Sequence, residues 1–161
     1  MIKMIRADDN LLHGSVAVSW VRNLKLHQII VVDDQAAEDE FTRMTLGLSK
    51  PSGVLLQILS VNDAKKTVRE IQLELNTLII VGNLQNAKAL LDVLPSVKHL
   101  NIGLMRAVKP ELTYELMNLS DDDINICKEL IHEGISVEYR IHYSDISVSL
   151  EELLEKNKPS E

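Results

Sequence analysis

The sequence predicts an open α/β fold with a mainly parallel sheet and helices on both faces, and three observations lead there. A short β-branched run followed within a few residues by a helical pattern occurs four times in succession. The strand-like runs are nearly continuous in Ile, Val and Leu rather than alternating, as strands covered on both faces are. The connections are of the short length that βα and αβ turns require.

Taken in order, Met1–Ala7 reads as a strand before a helix at Ser15–Asn23, and His27–Val32 as a strand before one helix at Ala36–Leu48. Pro51–Gly53 marks a turn. Val54–Leu59 then leads into a helix at Val61–Gln72, where Ser60 is the N-cap and Asp63 supplies a variant of the capping box. Thr77–Val81 precedes a helix at Leu84–Leu94, which Pro95 ends. Leu100–Ile102 is the fifth strand. Gly103–Leu119 has mixed periodicity and reads as a long crossing loop with a short strand in it, Pro110 disfavouring a helix through Lys109. Loops of that length usually have a job, which marks this one as a surface for substrate or partner. Ser120 caps the next helix, whose first turn, Asp121 to Asp123, sets three carboxylates where the unpaired amides favour negative charge, and Gly134 stops it. A strand at Ser136–Ile141, a helix at Leu150–Lys156 capped by Ser149, and a frayed polar tail complete the chain.

With 161 residues and 45% hydrophobic content, the expectation is one domain spanning 1–161 with a sizeable core. The lone Cys127 excludes an intramolecular disulfide and fits a reducing compartment. No apolar run reaches the roughly 18–20 residues that cross a bilayer. MIKMIRADD has no apolar region of a signal peptide, so a cytoplasmic protein is expected. Residues 1–114 carry 13 basic and 12 acidic side chains, whereas residues 115–161 carry 4 and 12. The acidic C-terminal third solubilises, and the chain lacks the basic field that nucleic-acid binding needs.

If the first strand ends near Ala7, the segment Asp8–Gly14 lies at its C-terminal edge and leads into a helix, where ligands of open parallel sheets bind. Asp33 and Asp34 fall at the same edge after the second strand, and Gly82 and Asn83 after the fourth. His13 stands out, because an imidazole just before a helix N-terminus is placed to attack phosphorus while helix amides stabilise the phosphoryl oxygens. Its other nitrogen needs an acceptor, for which Asp8 and Asp9 are the candidates. Gly14 leaves room for an anion, Ser15 offers a hydroxyl or a cap, and Arg6 or Arg106 is a source of charge for the transferring oxygens.

Other chemistries fit less well. A receiver-type magnesium pocket wants an aspartate where the third strand ends in Leu59 and Ser60, and Cys127, His132 and His142 lack zinc-site spacing. Neither GxGxxG nor GxxxxGK occurs. His27 and His99 read as strand-boundary residues, Trp20, Met105 and Tyr114 as packing.

MIRADDNLLHGSVAVSWV resembles the opening of the IIB component of the mannose/fructose/sorbose class of the bacterial phosphoenolpyruvate-dependent sugar phosphotransferase system. That opening runs arginine, a short apolar residue, two aspartates, arginine, leucine, an apolar residue and His-Gly-Gln-Val. The likeness continues through IIVVDDQAAEDEFTRMTLGLSKPSGVLLQILSV, LNIGLM and LSDDDINICKELIHEGISVEYRIHYSD, so it covers almost the whole chain in order. The resemblance implies an open α/β domain in which His13 accepts a phosphoryl group from a histidine of a IIA partner. It then passes the group to a sugar held by membrane IIC and IID components, with no metal, nucleotide or other cofactor. Arg6, Asp8 and Asp9 match the motif; Asn10 replaces its second arginine, Ser15 its glutamine, and Leu104 a common glycine. Gly82 stands where a basic residue is usual. These departures keep an alternative open, a divergent regulatory or interaction protein that does not feed sugar. The resemblance also implies peripheral association with a membrane transporter and leaves a homodimer open, while the sugar itself is not legible.

Overall fold

Strands with apolar residues at consecutive positions must bury both faces, and the chain does this by laying helices on each side of one sheet. A computed structural model describes residues 1–70 and 74–157. Its first half runs β1 (Ile2–Ala7), α1 (Gly14–Leu24), β2 (Gln28–Val32), α2 (Asp34–Glu38), α3 (Glu40–Leu48), β3 (Leu55–Leu59), α4 (Val61–Thr67), β4 (Thr77–Val81) and α5 (Leu84–Val93). The second half runs β5 (His99–Ile102), β6 (Met105–Arg106), β7 (Leu112–Tyr114), β8 (Met117–Leu119), α6 (Asp121–His132), β9 (Ser136–Tyr139), β10 (Val148–Ser149) and α7 (Leu150–Lys156). The seven-stranded sheet has the order β10-β9-β5-β1-β4-β2-β3. Only the short β10 runs antiparallel to its neighbour.

Alternate side chains of each central strand enter two different cores. Ile5, Ile30 and Ile79 join one with α4 to α7, while Met4, Ile29 and Leu78 join the other with Trp20 of α1 and Leu46 of α3. Cys127 of α6 lies in the first core, where burial, helped by Asp123, pushes its thiol up to about 12. The chain leaves β1 toward β2 on one face and passes from β4 over β1 to β5 on the other, so the connections part between the carboxyl ends of β1 and β4, the place where open α/β sheets bind ligands.

Helix ends follow the capping residues read from sequence. Ser120 accepts the Asp123 amide and Asp123 returns a bond to the Ser120 amide, a complete capping box. Gly134, at φ 89, closes the other end as a Schellman motif, with Gly134 N donating to Ile131 O and Ile135 N to Leu130 O. Ser60 accepts from the Asp63 amide and Ser149 from the Glu152 amide.

Four expectations need correction. The single helix at Ala36–Leu48 is two, because Asp39 is extended and its carboxylate accepts from Phe41 N and the Thr42 hydroxyl, capping α3 afresh. The helix from Val61 ends at Thr67; Ile71 and Gln72 lie outside the described residues, as do Lys158–Glu161 of the polar tail. The strand at Ser136–Ile141 stops at Tyr139, since Trp20 Nε1 takes the Ile141 carbonyl and Ser19 Oγ accepts the Tyr143 amide, drawing the chain over α1. Gly103–Leu119 is no open loop but a second sheet of order β6-β8-β7, which buries Met105, Leu112, Met117 and Leu119 in the first core. Its strands are too short for periodicity to register.

Candidate functional site

The segment after β1 is shaped by Asp8. Its Oδ1 accepts the Asn10 amide at 2.8 Å and its carbonyl accepts the Leu11 amide at 2.9 Å, a tight turn that holds Leu11 at φ 56. Leu12 is buried beside Trp20 and pins the turn, so His13 emerges extended at the N-cap of α1 with its side chain exposed.

Beneath this turn lies a buried charged cluster. Arg6 is 2% exposed, and its Nη2 donates to Asp8 Oδ2 at 2.8 Å. Its Nη1 donates to Asn101 Oδ1 and, at 3.0 Å, to the Arg140 carbonyl. Burial lowers the Arg6 pKa from its ordinary value, and the Asp8 carboxylate works against that shift. Asn101 Nδ2 donates to Glu138 Oε1 at 3.3 Å and to the Arg140 carbonyl at 3.2 Å. Glu138 also accepts from Arg140 Nη2 at 3.0 Å and from Ser147, and faces His99 Nε2 at 2.9 Å. Burial alone would raise the Glu138 pKa, yet bonds from His99, Ser147 and Arg140 outweigh it and bring it down to about 2. Both guanidinium groups lie over the Trp20 ring, Arg6 at 5.6 Å and Arg140 at 4.8 Å from its centroid. A β-carbon at Gly103 would overlap Arg6 Nη2 and Asp8 Oδ2, so glycine lets the chain leaving β5 pass this pair.

The rim above is assembled from several loops. A β-carbon on Gly82 would sit 3.1 Å from Asp33 Oδ1 and 3.4 Å from Leu11, which places the loops after β1, β2 and β4 side by side. Asp9 accepts the Arg106 amide at 2.7 Å, and Arg106 Nη2 donates to Asn10 Oδ1 at 3.2 Å, so β6 brings an exposed guanidinium against position 10. Six helices are capped by a side-chain oxygen, from Asp33, Asp39, Ser60, Asn83, Ser120 and Ser149. Helix α1 alone among the described helices is not: His13 makes no capping bond and the first turn has no acidic residue. The amides of Gly14, Ser15 and Val16 have no carbonyl to bond within the helix, and such amides at a helix start favour an anion.

Several residues singled out in the sequence fall in this segment: His13, Gly14 and Ser15 at the open helix end, and Asp9 and Asn10 in the turn before it, where both are bonded by Arg106. The partners of Asp8 and Asp9 are Arg6, Asn10, Leu104 and Arg106 rather than the His13 ring. Arg6 is sealed beneath the turn, where it supports Asp8 and does not face a transferring group. Asp34 bonds the Val61 amide at 2.8 Å and braces α4, while its neighbour Asp33 faces Gly82. Leu104 contributes through its backbone, its amide to Asp8 and its carbonyl to the Asp9 amide. Asn101, Gly103, Glu138 and Arg140 were not singled out in the sequence, and His99 opens β5 as a boundary residue while also facing Glu138. The available signal was a polar residue at an interior position of each of two parallel strands, Asn101 between Leu100 and Ile102 and Glu138 between Val137 and Tyr139, where burial requires a partner. Among the described residues no group of His, Cys, Asp and Glu is placed to hold a metal ion.

A family model described as the PTS system sorbose subfamily IIB component matches residues 2–161. The chain belongs to this family. It is 32% identical over 139 residues to a probable phosphotransferase enzyme IIB component of Streptococcus pyogenes, covering 81% of this chain and 85% of that protein. It is 28% identical over 152 residues to the sorbose-specific EIIB component of Klebsiella pneumoniae, covering 92% of each. The crystal structure of the IIBSor domain of the Klebsiella pneumoniae sorbose permease superposes with a TM-score of 0.89 at 24% identity over 98% of both chains, a likeness of fold. IIB components are enzymes of a phosphotransfer relay that runs from a IIA protein to sugar through IIC and IID. Among the described residues of this IIB chain, no helix is long and apolar enough to cross a membrane.

Proposed function

We propose that this IIB chain takes a phosphoryl group from a phosphohistidine of a IIA partner onto His13 and passes it to a sugar at a membrane IIC/IID complex. In the first step a His13 ring nitrogen forms the new P–N bond as the donor's P–N bond breaks, and the donor imidazole leaves with the electron pair. In the second, a sugar hydroxyl oxygen attacks the same phosphorus, the His13 P–N bond breaks, and the hydroxyl proton is released as the imidazole recovers its lone pair. The observation that carries the reading is the open end of α1, where an exposed imidazole adjoins three unpaired amides. Ser15 and those amides, including that of Gly14, hold the phosphoryl oxygens, and Arg106 beside Asn10 supplies positive charge. Arg6 and Asp8 act from below as positioning residues, and Gly82 with Asp33 shapes the rim.

The test is intact mass and acid-avoiding peptide mapping after incubation with phosphoenolpyruvate, the general phosphotransfer proteins and a matching IIA. One phosphoryl group on the His13 peptide, lost in His13→Ala with the circular dichroism unchanged, is the expected result. An unmodified chain facing a phosphorylated IIA overturns it. That outcome favours the second reading, a regulatory or interaction protein without sugar transfer, for which Asn10 in the place of an arginine is the motivating feature.

A further inference from the structure

We propose that Glu138, on β9 and remote in sequence from the loop, is a positioning residue for the turn that carries His13; this rests on the phosphotransfer reading only for its kinetic arm. Glu138 is the sole carboxylate, apart from Asp8, that bonds into the cluster of Arg6, Asn101 and Arg140 among the described residues. Its first effect is on an amide. Asn101 has one oxygen and one NH2 group, and Glu138 Oε1 together with the Arg140 carbonyl accepts from the NH2 end. That leaves Oδ1 facing Arg6, which has only donors to offer. With Glu138 absent, only Arg6 and the Arg140 carbonyl are left to select this orientation, and the opposite one sets donor against donor. Its second effect is on charge. Two guanidinium groups share the Trp20 ring, and Asp8 and Glu138 each neutralise one. Removing the Glu138 charge leaves Asp8 to answer both, and Asp8 is the residue whose oxygens hold the Asn10 and Leu104 amides. Glu138 therefore sets Asn101, Asn101 sets Arg6, and Arg6 sets the carboxylate that folds the loop.

The experiment is amide hydrogen exchange on the free protein, which needs no phosphoryl donor, alongside the rate of phosphoryl uptake from a phosphorylated IIA. Glu138→Gln is compared with Leu130→Ala, a cavity in the opposite core, at temperatures where the two variants have equal stability. The expected result is exchange of the Asn10 and Leu104 amides faster by about tenfold or more in Glu138→Gln alone. Uptake at saturating donor should fall about tenfold with the KM for IIA little changed. Equal acceleration of these amides in both variants overturns the proposal and makes Glu138 a general stabiliser. Should Glu138→Gln not fold, Ser147→Ala removes one donor to Glu138 at an exposed position and must speed the same two amides roughly threefold; no change there overturns the proposal equally. If the wild-type chain takes up no phosphoryl group, the exchange arm still decides the matter.

Discussion

Helices α1 and α6 differ by one residue in length, 11 against 12, and begin in opposite ways. Helix α6 begins in a reciprocal capping box with three carboxylates in its first turn and closes in a Schellman motif around Gly134. Helix α1 begins at a histidine that caps nothing, with no carboxylate in the turn that follows. A cap of the Ser120 kind is worth about 1 kcal/mol. The chain takes that stability at α6 and leaves it aside at α1, so the unpaired amides of α1 stay available to an incoming anion. An element that ignores a rule its six counterparts obey is where function is to be sought.

The sharpest way to break this comparison is to close the open end. Ser15→Asp puts a carboxylate into the first turn of α1; it should lower the rate of phosphoryl uptake roughly a hundredfold while raising stability by about 0.5 kcal/mol. Uptake kinetics and urea denaturation read the two effects separately.

Acid should distinguish the two ends next. The Glu138 carboxyl, held at about 2 when folded against an ordinary 4.5, contributes stability that is complete above pH 4.5 and fades as the pH falls toward 2. The expected loss is on the order of 2–3 kcal/mol. Hydrogen exchange followed from pH 6 to pH 3 should show the Asn10 amide losing protection before the amides of α6; simultaneous loss would mean that the cluster does not support the loop.

The smallest effect belongs to the closed end. Ser120→Ala should cost about 1 kcal/mol in urea denaturation and leave phosphoryl uptake at the wild-type rate.

How much of this was legible beforehand follows the range of the interactions. The βα units, the caps at Ser60, Ser120 and Ser149 and the stop at Gly134 rest on residues within a turn of one another, and the sequence displays them directly. His13, Gly14 and Ser15 were visible for the same reason, as neighbours at a strand-to-helix junction. The Asp39 break was hidden because an aspartate inside a helical pattern has the same letter whether it caps or merely faces solvent. The small second sheet was hidden because strands of two or three residues carry no period. Asn101 and Glu138 stayed hidden for a different reason: each finds its partners only after β1, β5 and β9 lie side by side, and Arg6 and Asn101 are opposed by register rather than by spacing. The sequence put Arg6 near the chemistry, but only packing shows that it faces downward.

The sheet order also fixes a schedule. β1 is made first, yet it pairs with nothing nearby: Ile5 lies opposite Ile79 on one side and Leu100 on the other. Closing such wide spans costs chain entropy before any contact repays it. During synthesis the first strand must therefore wait, apolar and unpaired, until the ribosome has released β4, and its second edge waits for β5. The bonds that close the cluster beneath the His13 loop come later still, once Glu138 and Arg140 have emerged. A nascent chain cut short after β4 should hold the β1–β4–β2–β3 ladder and lack the bonds that Asn101 and Arg140 make to Arg6.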